Sequence, residues 1–384
     1  MFSGYREAQE LPRVIHISIA RYHRHLPQPG EPLTFLVSIH EEGTGVTWQQ
    51  NVQVSLEQEQ DLVDAVHALH LWSLDLANTP EQAWELVDMI GEQLFDIFIK
   101  PAGWGVLQNL PPTAVLLDVD ETILNLPWEL IRFPDGPIVL QEPFGRLVTT
   151  RVPLQPGRDP LQEDAVVRFL VVANPTSDLG ITESTIATLT ELEGNHGPFR
   201  VEVDVLAEDK ATVANFLKKL EGSDFDILHF AGHAYLHPDQ PGHSALRFAD
   251  GDLTADEVVA LTEVWEKAPY FVFNSACESA RGVRGLRLVS QDNQGNGLAA
   301  AFLATGVYGY AGYFWPVTNS GAGMFMSTFY RAMFMLENVG LAYLEARRRV
   351  AGELPVEEGD LTAYSAVLYG DAASKHRRDI YTAA

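Results

Sequence analysis

Six short apolar runs decide the fold: A-V-L-L-D-V (114–119), V-V-R-F-L-V-V-A (166–173), F-R-V-E-V-D-V-L (199–206), F-D-I-L-H-F-A (225–231), A-P-Y-F-V-F-N-S (268–275) and V-Y-G-Y-A-G-Y-F (307–314). Most are continuous rather than alternating, the pattern of strands covered on both faces. Helical patterns separate and follow them, at 180–194, 211–220, 254–264, 295–305, 321–337 and 339–351. Strands alternating with helices predict an α/β unit with a mostly parallel sheet and helices on both faces. Such sheets place reacting groups where strands end at their carboxyl edge. The segments to inspect are therefore Ala173-Asn174-Pro175, His229 to His233, and Asn274 to Cys277.

Upstream the rhythm differs. Residues 13–22, 33–40 and 46–56 alternate with period two, as in three strands of a small antiparallel unit with turns at 27–32 and at Gly43/Gly45. Two helices follow, from about Asp61 to Leu76 and from Thr79 as N-cap, with Pro80 at the first helical position, to about Ile99. Pro101, Gly103, Gly105, Pro111 and Pro112 mark a boundary. The expected organisation is a small α+β strand-and-helix region over 1–110, regulatory or packing in role, then the α/β domain over 112–375 and a tail over 376–384. No internal repeat or low-complexity tract interrupts it.

Composition narrows function. The 384 residues carry 26 Lys+Arg against 52 Asp+Glu, a formal net charge of −26. That excludes nucleic acid as the primary partner, since basic groups drive phosphate binding, and disfavours an anionic membrane surface. No run approaches the roughly 18–20 apolar residues of a membrane helix. The start, Met1 to Glu7, lacks the basic-then-apolar pattern of a signal peptide, so the expected location is cytoplasmic. A single cysteine excludes an internal disulfide framework and a Cys-based metal cluster, leaving it as core filler or reactive centre.

His233 lies in H-F-A-G-H-A (229–234), just past one strand, with Gly232 relaxing the backbone before it; Cys277 lies in F-V-F-N-S-A-C-E-S-A (271–280), just past another. Adjacent strand ends bring an imidazole and a thiol together, and the imidazole generates the thiolate that attacks a carbonyl. The backbone N–H of Cys277, with that of Ala234 or Gly232, would form the oxyanion hole.

The segments I-L-H-F-A-G-H-A-Y (227–235), S-A-L-R-F-A-D-G-D-L-T (244–254) and N-S-A-C-E-S-A (274–280) resemble the CHAT family of caspase-like cysteine peptidases, related to caspases and separases. Further blocks agree in the family's order: N-L-P-W-E-L-I (125–131) with its Pro-Trp-Glu element, V-V-A-N-P (171–175), the long segment 297–318, then S-T-F-Y-R-A-M-F (327–334), L-A-Y-L-E-A-R (341–347) and A-V-L-Y-G-D (366–371). The resemblance spans about 112–375. It implies a caspase-like sheet and endopeptidase action on a protein through a Cys277 thioester, with His233 as general base and acid. It also implies control by a partner, ligand or cut, in a bacterial defence or cell-death-like pathway, and no cofactor. A catalytically silent binding or scaffold protein is the reading from another class.

Two departures bear on this. Ala234 stands where the family often has Gly; its N–H still serves an oxyanion if no positive φ is required. Trp315-Pro316-Val317-Thr318-Asn319 lacks the acids of the separase stretch that binds a basic side chain, so Arg specificity does not carry over. Asp250, Asp252 and Glu278 remain candidate pocket acids.

Other motifs point elsewhere. Asp118, Asp120 and Thr122, with Glu121 between, match the D-x-D-x-T of haloacid-dehalogenase-type phosphatases, a remote alternative in which Asp118 and Asp120 would act. The chain is Lys-poor and Gly370-Asp371 is followed by a basic stretch rather than a second carboxylate for Mg²⁺, so a turn and helix start is the expected reading. His229, His233 and His237 are spaced four apart, with His243 nearby; that is a ligand face only on a helix, which Gly232 and the β-type run oppose, so no metal site is expected. Trp72, Trp84 and Trp104 read as core or interface.

The stretch 278–296 sets Arg281, Arg284 and Arg287 among Gly, Ser and Asn, with Asp292. It is the expected self-cleavage or regulatory loop. Mass spectrometry of purified wild type should show fragments cut there that are missing from Cys277→Ala; intact chains in both samples would leave a solvated loop whose arginines offset the acidic surface.

Overall fold

The computed structural model describes residues 13–22, 31–74, 79–100, 103, 107, 114–119, 123–148, 161–162, 166–179, 182–196, 199–222, 224–237, 240–265, 267–276, 297–336, 338–374 and 377–378. Among these, twelve strands form one sheet: β1 (Val14–Arg21), β2 (Leu33–Glu41), β3 (Thr47–Val54), β4 (Ala114–Val119), β5 (Phe144–Leu147), β6 (Val166–Ala173), β7 (Gly194–His196), β8 (Phe199–Ala207), β9 (Ile227–Ala231), β10 (Phe271–Asn274), β11 (Gly309–Tyr313) and β12 (Ala366–Tyr369). Their order across the sheet is β7-β8-β6-β9-β10-β11-β12-β5-β4-β1-β2-β3. The expected mostly parallel α/β architecture is present. The run β8-β6-β9-β10-β11 is parallel throughout, β12 is antiparallel to β11, and β12, β5, β4 and β1 again run parallel.

Burial explains the order. Every residue of β9, β10, β11 and β12 is buried, as central strands covered on both faces require. β1 and β2 alternate between buried and half-buried, while β3, at the edge, exposes most of its polar T-W-Q-Q-N face. The N-terminal strands are antiparallel to each other, as their alternation predicts, but they share the large sheet: β1 pairs in parallel with β4, from Val14 opposite Ala114 to Ile19 opposite Val119.

Helices cover the two faces. The principal ones are α1 (Leu56–Leu74), α2 (Pro80–Leu94), α3 (Thr182–Thr190), α4 (Val213–Gly222), α5 (Ala255–Ala260), α6 (Leu298–Ala304), α7 (Asn319–Met335) and α8 (Val339–Glu353). α1 begins five residues before the expected Asp61 because Ser55 and Gln58 cap it reciprocally: the Ser55 N–H donates to Gln58 Oε1 (3.0 Å) and the Gln58 N–H to Ser55 Oγ (3.2 Å). Phe169, His229 and Phe273 share one sheet face and meet Tyr330 of α7. On the opposite face Phe230 meets Phe248, and Tyr310 stacks on Phe302 of α6. Trp72 is buried with its Nε1–H on the Thr79 carbonyl (3.0 Å), Trp84 carries the Arg132 guanidinium, and Trp104 lies outside the described residues.

A buried ion pair joins the halves of the sheet. Trp128, fully buried with its Nε1–H on the Ile123 carbonyl (3.0 Å), precedes Glu129. Arg146 of β5 donates through Nε to Glu129 Oε1 (2.9 Å), through Nη2 to Glu129 Oε2, and through Nη1 to the Leu124 carbonyl (3.0 Å). Its guanidinium also faces the rings of Phe314 and Tyr369. Burial pulls the Arg146 pKa down, but the Glu129 carboxylate and the Tyr369 hydroxyl together more than offset it, so the net direction is up. Arg146→Met leaves a buried carboxylate unpaired and should lower stability by about 3–5 kcal/mol. Arg146→Met with Glu129→Leu should lose less than the single change in urea denaturation; equal or greater loss would show that the charges themselves stabilise the fold.

Candidate active site

β6, β9 and β10 are neighbours, run parallel and end at one edge, and their register is fixed at both ends. At the start, Asp226 donates its N–H to the Arg168 carbonyl (2.8 Å), accepts the Arg168 N–H on Oδ2 (2.8 Å) and takes the Phe271 N–H on its carbonyl (3.1 Å). At the end, the Asn174 N–H donates to the Ala231 carbonyl and the Ser275 N–H to the Phe230 carbonyl, both at 2.7 Å. Phe230 is thereby level with Val172 and Asn274.

His233 follows β9 by two residues. Gly232 matters for space rather than for a left-handed backbone: a Cβ there would lie 2.8 and 2.9 Å from the Phe230 ring and 3.0 Å from Pro175 Cδ. The missing side chain lets the loop after β6 close on the end of β9. That loop brings Asp178 to His233, with Nε2 at 3.0 Å from Oδ1 and 3.2 Å from Oδ2. The Thr176 hydroxyl also donates to Asp178 Oδ1. These two contacts, Thr176 first and His233 second, hold the Asp178 carboxyl below the usual carboxylate range. Both partners remain open to solvent, with side-chain exposures of 46% for His233 and 61% for Asp178. Sequence reasoning did not single out Asp178. The available signal was an acid five residues past β6, in a turn that the strand-end rule had already marked at Asn174-Pro175.

The approach to Cys277 is hydrogen-bonded up to Ala276. Buried Asn274 donates through Nδ2 to Tyr310 Oη (2.9 Å) and accepts the Ala276 N–H on Oδ1 (3.1 Å). Cys277, Glu278, Arg281, Arg284 and Arg287 lie outside the described residues. Ala234 begins a short antiparallel ribbon with Leu246. The Arg247 N–H donates to the His233 carbonyl (2.9 Å), which makes Ala234–Leu246 a non-hydrogen-bonded pair and turns the Ala234 N–H away from that neighbour. Ala234 is not among the residues with positive φ, so alanine there carries no strain.

The two described candidate acids are engaged elsewhere. Asp250 Oδ1 accepts the Val213 N–H at the start of α4 (2.7 Å). Asp252 pairs with Arg247 across the ribbon. Arg247, Phe248, Ala249 and Asp252 form one wall of an open groove of about 380 Å³, and Pro175 and Thr176 form the other. Thr318 caps α7 through the Gly321 N–H (2.9 Å), and the Trp315 N–H donates to Ser365 Oγ (2.8 Å), so 315–319 serves the fold.

The histidines diverge. His229 is buried against Tyr330, with Nδ1 at 3.0 Å from Oη, whereas His237 Nδ1 accepts the Gln240 N–H (3.0 Å). Among the described residues no group of three or more His, Cys, Asp or Glu is arranged to hold a metal. Asp118 lies on β4, and Asp120 and Glu121 are outside the described residues.

The chain matches the family model of the CHAT domain over residues 88–374 and belongs to that family. Its fold is caspase-like. Two structures of the Saccharomyces cerevisiae separase–securin complex superimpose with TM-scores of 0.57 and 0.53 at 12% identity, covering 93% of this chain and 30% of that chain. The chain thus spans under a third of that protein. The Arg-specific cysteine proteinase gingipain R aligns at a TM-score of 0.39 and 12% identity, over 83% of this chain and 76% of its own. No curated protein is significantly similar in sequence.

Burial lowers the His229 pKa to about 3 from an ordinary 6.5. Between those values the unfolded chain binds a proton that the folded chain refuses, so stability should fall as pH drops through this window, by up to about 1.4 kcal/mol per pH unit. Urea denaturation of wild type and His229→Phe across pH 4–6.5 checks this: the variant's stability should depend less on pH, and an equal dependence would assign the acid sensitivity to other groups.

Proposed function

We propose that this protein is a cysteine endopeptidase in which Cys277 is the nucleophile and His233 the general base and acid. The observation that carries the reading is strand register. Phe230 and Asn274 are level on adjacent parallel strands, and His233 and Cys277 each follow by three residues. Neighbouring strands lie about 4.8 Å apart, a separation that an imidazole and a thiol span. His233 takes the thiol proton, and Sγ attacks the scissile carbonyl carbon. The same proton then passes to the amine nitrogen as the C–N bond breaks, and water hydrolyses the thioester. The N–H groups of Ala234 and Cys277 are the proposed donors to the oxyanion.

The groove beside the site is our proposed seat for a substrate side chain. Its wall pairs Asp252 with Arg247, and Asp250 is committed to α4, so these acids give no support to a basic-residue pocket. Glu278 is the remaining candidate. Membership of the CHAT family and the net charge of −26 support a protein substrate. Activation by a partner, ligand or cut, in a bacterial defence or cell-death-like pathway, completes the reading. The separase relative was solved bound to securin.

A peptidyl fluoromethyl ketone tests the chemistry. Wild type should take up one label, Cys277→Ala none, and His233→Ala at least about 10²-fold more slowly, the lower end for a lost proton-transfer group. If folded wild type takes up no label, with or without its activator, the protein is a silent binding protein.

A further inference from the structure

We infer that Asp178 is a positioning residue of this site: its carboxylate holds the His233 imidazole with the proton on Nε2, leaving Nδ1 to take the proton of the thiol. The inference rests on the Cys277–His233 reading above. β6, β9 and β10 are consecutive in the sheet. Their ends therefore deliver an acid, an imidazole and the strand that leads to the thiol, in that order, with the imidazole in the middle.

The carboxylate does not hang on a free loop. Asn174 ties the loop to β9 through its N–H, and its side chain clasps Leu179 in both directions, Nδ2 to the carbonyl (2.9 Å) and Oδ1 to the N–H (3.0 Å). Asn174 and Ser177 both hold positive φ, 46° and 58°. Left-handed backbone at non-glycine residues is costly and persists where surrounding contacts enforce it, commonly at functional sites. Thr176 supplies a further contact to Oδ1.

A side-chain contact this exposed contributes little to stability, so a merely structural purpose does not explain the construction. With Nε2–H directed at the carboxylate, Nδ1 accepts the thiol proton, and the resulting imidazolium keeps its Nε2–H···carboxylate bond. Nδ1–H later donates to the leaving nitrogen, and Asp178 stays ionised throughout.

The test uses the full chain. Asp178→Ala should slow inactivation by the fluoromethyl ketone about tenfold at unchanged probe affinity. That is less than the loss expected on removing the proton-transfer group itself, because water partly replaces the carboxylate. Asp178→Glu should recover part of the rate, and the urea midpoint should not move. In a Cys277→Ala background, ¹⁵N NMR of the neutral His233 ring should show the Nε2–H tautomer, shifting to a mixture when Asp178→Ala is added. An unchanged tautomer, with wild-type inactivation in Asp178→Ala, overturns the inference. Labelling that survives Cys277→Ala overturns the underlying reading instead, and the tautomer measurement then still decides what Asp178 does.

Discussion

The parallel ladder of β6, β9 and β10 is the constraint on which the site depends. Side chains alternate between faces with a period of two, so a one-residue slip of β9 would move each of its side chains to the other face of the sheet. His229 would leave Tyr330, and Phe230 would lose Phe248. Asp226 prevents the slip at one end by bonding to Arg168 with both backbone and side chain, and the Asn174–Ala231 and Ser275–Phe230 bonds prevent it at the other. The three strands then end at one edge at fixed relative heights, the precision that the proposed site needs.

A second constraint sits in the other half of the sheet. Glu129 and Arg146 bring two charges into a place where neither would persist alone, and the pair is further satisfied by the Leu124 carbonyl and two aromatic faces. Arg146 belongs to β5, between β4 and β12. Its position joins the strands carrying the amino-terminal extension to the strands carrying the site. The Pro-Trp-Glu element is therefore an architectural feature here, with Trp128 packing the core and Glu129 anchoring the neighbouring strand.

The central strands were legible because continuous apolar runs carry their own signal, and so were the six following helices. Three strands escaped notice. β7 is three residues long, β12 follows a one-turn helix (Thr362–Ser365) without a break, and β5 reads F-G-R-L, where a charged residue breaks the apolar pattern because its partner lies 17 residues away in sequence. The parallel pairing of β1 with β4 also has no local signature, since nearly a hundred residues separate them. The strand-end rule marked the segment in which the structure places His233, just past β9. It did not reveal Asp178, whose meaning arises from the closure of two loops over Gly232, an event of tertiary structure.

Two histidines four residues apart on one segment show how environment assigns chemistry. His229 faces the α7 side, wholly buried, and burial suppresses its protonated form. It can fill space and bond to Tyr330, but in that setting it is a poor carrier of protons near neutrality. His233, past the end of the strand, faces water and the Asp178 carboxylate, the surroundings that our proposed role for it needs. A count of histidines treats the two alike. The end of β9 separates them, because the same strand that dehydrates one residue carries the other out to the edge where β6 supplies its acid.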